Sequence, residues 1–216
     1  MKVLSVSNKR QRVRQKSFSQ SFETFFPLLL LILLPLLILE GLPFFKLRIV
    51  LVLLTMAAIA GLTIAKLGKL KVFFSRPGKP DLIFLIPVVV ISLIVLSEKI
   101  SLPISCNELT IIFKLKIPFW QQALIYICLS TFLQELIYRL FLFNFLKTHF
   151  GNPGSFLIWG TFLFAWLHLA WGPGLSFGSL FFGLYLNWWF VKTNNFWGVF
   201  LAHACLGTAL SGACYL

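Results

Sequence analysis

The run Ala123-Leu-Ile-Tyr-Ile-Cys-Leu-Ser-Thr-Phe-Leu-Gln134-Glu135-Leu-Ile-Tyr-Arg139-Leu-Phe-Leu-Phe143 decides how this chain is read. It is long and apolar enough to lie in a bilayer, yet it carries an acid and a base. An ionisable side chain at that depth costs roughly 2.5–3.5 kcal/mol on insertion scales, so it implies a function. Positions four apart share one face of a helix, which lets Glu135 and Arg139 pair.

The whole chain has the same character. Of its 216 residues 59% are hydrophobic and 12% charged, against about 25% charged in an ordinary soluble domain. The expected fold is all-α, a polytopic integral membrane helical bundle. The net charge of +13 would indicate nucleic acid on a soluble protein. Here the basic residues cluster between apolar runs, which is the pattern of membrane orientation, and no nucleic-acid partner is expected. Cys106, Cys128, Cys205 and Cys214 form no CxxC or zinc-finger spacing. Cys214 stands third from the end, where a prenylation box needs a cysteine fourth from the end, so that anchor is not expected.

Apolar runs predict about seven spanning helices, at 25–44, 48–66, 81–97, 119–146, 155–171, 174–191 and 196–215. They divide the chain into a basic N-terminal segment (1–22), a first group of about three spans with a polar loop (23–118), and a second group of about four (119–216). The segment 98–118 is polar by comparison and is left without an assigned structure. The first apolar run has no small-residue cleavage site after it and is read as a retained helix. Most basic residues (Lys2 to Lys16, Lys66 to Lys79, Lys147 and Lys192) fall on one side, which predicts a cytoplasmic N-terminus in a multi-pass cell-membrane protein.

Six acidic residues exist, and Glu23, Glu40, Asp81, Glu98 and Glu108 fall at helix ends or in loops. Only Glu135 lies deep in a span. His149 sits in a turn beside Lys147, whereas His168 and His203 lie within later spans. At a rise of about 1.5 Å per residue, Glu135, His168 and His203 sit about 18, 20 and 12 Å from the same boundary, so the three are expected to meet in one layer and to face one polar cavity. A carboxylate in a poorly solvated site is a competent general base, and imidazoles can polarise a water or donate to an oxyanion. That set suits hydrolysis of a peptide bond without a covalent intermediate. It also has the composition of a His2Glu zinc site with an open position: no cofactor is assigned, and a divalent metal such as zinc on Glu135, His168 and His203 stays open.

Three motifs, Gln134-Glu135-Leu-Ile-Tyr-Arg139, Phe164-Ala-Trp-Leu-His168 and His203-Ala-Cys-Leu-Gly207, stand in order on apolar helices. Together they resemble the CPBP family of intramembrane proteases, the CAAX-processing and bacteriocin-processing group, over roughly 119–210. The family pattern is Glu-Glu-x-x-x-Arg, then Phe-x-x-x-His, then His-x-x-x-Asn or Asp. The resemblance implies a membrane endopeptidase acting on a membrane-associated chain, prenylated or leader-bearing. It implies catalytic roles for Glu135, His168 and His203 and supporting roles for Gln134, Arg139, Phe164 and Gly207. In the family, the first Glu and the Phe-motif His are taken to activate water, and the last His with its Asn partner to stabilise the oxyanion. This chain departs twice: Gln134 replaces the first Glu, and Gly207 replaces the Asn or Asp. A catalytically degenerate scaffold of the same family is one alternative. A proton-coupled transporter is another, weakened by the absence of a repeat and by confinement of the polar residues to the second half.

Overall fold

The computed structural model describes residues 79–97 and 118–213, together with Leu29, Ile32, Leu33, Ala58 and Gly61. The basic segment 1–22, nearly all of the two spans expected before residue 70, and the segment 98–117 therefore lie outside the described residues. What is described is helical, with no strand among the described residues.

Five helices follow one another. Helix α1 is Lys79–Leu96. Helix α2 runs without a break over Phe119–Phe150. Helix α3 covers 153–168 and closes in a 3-10 turn, Leu169–Trp171. Helices α4 and α5 are Pro173–Thr193 and Phe196–Ala213. Each falls on one of the apolar runs anticipated from the sequence, with ends moved by a few residues. Helices α2 and α5 are long and apolar enough to cross a membrane by length and composition, and α1 is a shorter apolar helix.

Local chemistry sets the breaks. Helix α2 ends on Gly151 at φ 68°, the left-handed position that glycine takes without a Cβ clash. Asn152 then caps α3, its Oδ1 accepting from Gly154 N at 2.8 Å, with Pro153 as the first helical residue. Gly172 at φ 101° turns the chain into Pro173 at the head of α4. Helix α2 is not uniform: Tyr126–Thr131 and Leu136–Leu142 are widened π turns that bracket an α-helical piece, Phe132–Glu135. Such turns are concentrated at functional sites.

Polarity is distributed inside out. Leu82, Ile83, Ile86 and Leu93 of α1, Ile158 and Phe162 of α3, and Phe177 and Phe181 of α4 all face outward, each more than half exposed. Gln134, Glu135, Arg139, His168, Asn187 and His203 are buried. An apolar exterior, with these polar groups held inside a largely hydrophobic core, suits lipid.

Lipid tails are as apolar as leucine, so helices in a bilayer are held by close packing and interhelical hydrogen bonds. Helix α5 lies along α1, and α4 lies along α3. Tyr185 Oη donates to the Phe84 carbonyl at 2.5 Å, joining α4 to α1. Tyr138 Oη donates to the Leu163 carbonyl at 3.1 Å, joining α2 to α3. Asn187 Nδ2 donates to Thr161 Oγ1 at 3.0 Å, and Ser176 Oγ to the Ala165 carbonyl at 2.8 Å, joining α4 to α3. Each such tie is worth about 0.6 kcal/mol on average.

Candidate active site

The site is built where α2, α3 and α5 converge. Glu135 is fully buried, and both its oxygens are engaged. Oε2 forms an ion pair with Arg139 Nε at 3.0 Å, one turn further along α2. Oε1 accepts from His203 Nδ1 of α5 at 2.6 Å. A carboxylate can only accept here, so Nδ1 of His203 carries a proton, and Nε2 is the ring nitrogen left for the cavity.

Phe164 of α3 is the hub of the cluster. Its ring centroid lies 4.5 Å from that of His168 and 5.4 Å from that of His203. Tyr138 meets it edge-on at 5.3 Å. The Arg139 guanidinium carbon lies 5.2 Å from the ring centroid, a cation–π contact that complements the ion pair. His168 Nδ1 donates to the Phe164 carbonyl at 2.7 Å. A carbonyl cannot donate, so this bond also fixes a tautomer: His168 Nε2 bears the free lone pair.

Tyr126, Gln134, His168, Ser179, His203 and Gly207 line one cavity. The structure thus brings both histidines to a common hollow and puts Glu135 in direct contact with one of them. Glu135 itself is not among the cavity's lining residues. The expectation that its carboxylate faces the cavity is met by a different arrangement, because Arg139 and His203 hold both its oxygens inside the bundle. Gln134 faces the cavity in its place. Its Nε2 donates to Ser130 Oγ at 3.0 Å, and its buried Oε1 has no hydrogen-bond partner among the described residues.

The residues do not fit a His2Glu zinc set. Among the described residues no three of His, Cys, Asp and Glu come together as a group that could hold a metal ion. The nitrogen that His203 turns to Glu135 is protonated, and the carboxylate is spent on Arg139 and His203.

Residues 116–209 match the family described as type II CAAX prenyl endopeptidase, Rce1-like. The matched region is similar to that family over somewhat less than half of the chain. The match covers all three motifs and supports the resemblance drawn from them. No curated protein and no solved structure matches the chain. The match and the apolar helices together support a membrane protein that resembles CAAX-type proteases.

Three contributors do not stand out in the sequence. Tyr126 looked like one more apolar residue of the run, and Ser179 like a neutral position of a span. Gly183 of α4 is the seat of Phe164: a Cβ there would come within 2.7 Å of Phe164 Cδ1. Tyr126 had a detectable signal, since Tyr126, Ser130 and Gln134 recur every fourth residue. His149 stays apart from this cluster; it lies in the last helical turn of α2 rather than in a connecting turn, with Nδ1 on the Phe145 carbonyl at 2.8 Å.

Proposed function

We propose that the Rce1-like region hydrolyses a peptide bond of a membrane-associated, prenylated chain, with His168 as the general base. The observation that carries this reading is the His168 Nδ1 bond to the Phe164 carbonyl. It leaves Nε2 as a lone-pair acceptor on a cavity-lining residue. A water there gives its proton to His168 Nε2 as its oxygen attacks the scissile carbonyl carbon, while Gln134 Oε1 accepts from the second water hydrogen. The carbonyl π pair moves to oxygen. When the C–N bond breaks, the proton held by His168 passes to the leaving amine.

Glu135 then acts behind His203 rather than as the base. It holds the ring by Nδ1, and the ring, having taken a second proton from solvent at Nε2 before attack, presents Nε2–H to the developing oxyanion. A buried carboxylate that orients and stabilises an imidazolium has the same logic in Ser-His-Asp sites. Arg139 pairs with that carboxylate and fixes its position. No metal takes part in these steps, so a chelator leaves the rate unchanged.

The test is cleavage of an internally quenched, farnesylated CAAX peptide by the full chain in liposomes. Wild type cleaves, and His168→Ala slows the reaction by about 10²–10⁴-fold. Equal rates for the two proteins would overturn the assignment. A second reading rests on Gln134: a neutral amide faces the cavity where the family has a carboxylate, and an amide cannot take a proton. Under it the chain binds membrane-associated peptides without cutting them. That reading requires a silent wild type, with cleavage gained in Gln134→Glu.

A further inference from the structure

We infer that the Tyr126 hydroxyl is the second hydrogen-bond donor of the oxyanion site, standing in the space that a side chain at position 207 would fill. The inference rests on the peptidase reading above and adds a residue to it. Gly207 lies one turn after His203 on α5, so a side chain there would project beside His203 on the cavity face. A Cβ built at 207 would fall onto the Tyr126 hydroxyl, 2.6 Å from Cζ and 2.7 Å from Cε1. The ring of Tyr126 on α2 therefore reaches across to α5 and delivers its hydroxyl to that place. Even alanine at 207 would exclude it. Glycine and tyrosine are one device made by two helices.

Tyr126 is half-buried and lines the same cavity as His168 and His203. A phenol O–H is a single strong donor on a rigid ring, free of the rotamer entropy of a longer chain. Four residues of α-helix overshoot a full turn by about 40°. Tyr126, Ser130 and Gln134 would therefore drift around an ideal α-helix. The widened turn at Tyr126–Thr131 rotates less per residue and holds the three on one face. During attack the phenol keeps its proton and donates a hydrogen bond to the oxyanion opposite His203 Nε2–H. Both donors are in position before the charge appears, which is where such donors act most strongly.

The experiment compares Tyr126→Phe with wild type on the farnesylated peptide in liposomes. The ring is kept, so the packing against Gly207 is kept. The expected result is a fall in kcat of about 10²–10³-fold with KM unchanged. Tyr185→Phe, which removes a hydroxyl bonded to the Phe84 carbonyl at a residue that does not line the cavity, leaves kcat unchanged. In a swap, Tyr126→Ala combined with Gly207→Asn recovers at least about tenfold over Tyr126→Ala alone, because an amide donor regains the vacated place. An unchanged kcat in Tyr126→Phe, with His168→Ala inactive, overturns the inference and leaves the peptidase reading standing. A wild type as slow as His168→Ala overturns both.

Discussion

Two buried carboxylates hold this bundle together, and they do so in opposite ways. Asp81 opens α1 and is nearly inaccessible. Trp189 Nε1 of α4 donates to its Oδ1 at 2.9 Å, and Asn195 Nδ2, just ahead of α5, donates to its Oδ2 at 3.1 Å. Asn195 Oδ1 in turn accepts from Gly198 N at 3.2 Å. The Trp189 and Asn195 donors are neutral, and each ties Asp81 to a different segment. Glu135 lies mid-helix and is matched by a full charge, Arg139, and by an imidazole that can become one. Donors drawn from two distant segments suit a staple, whose work is to tie elements together. A carboxylate between a permanent cation and a titratable ring suits chemistry, because a proton can come and go beside it.

The largest effect should follow from breaking the charge balance. Glu135→Gln leaves Arg139 buried and uncompensated, and losing one partner of a buried pair costs about 3–5 kcal/mol. Thermal unfolding in detergent will read this. Adding Arg139→Met removes the stranded charge, so the double variant should recover most of that stability. Cleavage should stay down by about 10²–10⁴-fold, since an amide cannot stabilise the imidazolium of His203. If activity returned along with stability, Glu135 would be a staple like Asp81 and the contrast would collapse.

Asp81→Ala comes next. It strands the Trp189 indole N–H and the Asn195 amide, at a cost of about 1.5–3 kcal/mol for hydrogen bonds to a charged acceptor. The variant should unfold at lower temperature with kcat unchanged on the farnesylated peptide. A fall in kcat in the protein that remains folded would tie the staple to the reaction and blur the two regions.

The two regions also differ in how legible they were. Glu135 announced itself because a charge inside an apolar run is costly wherever it points. His168 and His203 followed from depth, as one rise per residue carries through a helix whatever its packing. Asp81 fell at a predicted helix start and read as a solvated end, since the partners that bury it come from residues more than a hundred positions away. The orientation of Glu135 was misjudged for a local reason. A count of 3.6 residues per turn cannot see the widened turns at Tyr126–Thr131 and Leu136–Leu142, which shift side chains around α2 and leave Gln134, not Glu135, on the cavity. Tyr126 and Gly207 were legible only as one apolar residue and one missing side chain. Their meaning lies in a contact between helices, which no single-chain periodicity encodes.

The finest test uses the glycine that each region contains. Gly183 lets Phe164 settle against α4, and an added Cβ would meet Phe164 Cδ1 at 2.7 Å. Gly198 lets Asp81 and Trp189 close on α5, and an added Cβ would meet Asp81 Oδ1 and Trp189 Cζ2, both at 2.9 Å. Either glycine replaced by alanine overpacks a tight contact, for about 1–3 kcal/mol. The stability losses should therefore be alike, and only kinetics should separate them. Phe164 carries the carbonyl that orients His168 and the ring that both imidazoles touch, so moving it displaces the general base. Gly183→Ala should lower kcat by about 10²-fold, the penalty of roughly 1 Å of misplacement. Gly198→Ala presses on Asp81 and Trp189, neither of which lines the cavity, and should leave kcat where it was. Matched unfolding temperatures with kcat lost in Gly183→Ala alone would show that position, not stability, is what the Phe164 cluster supplies. Equal kcat in both would reduce the cluster to packing.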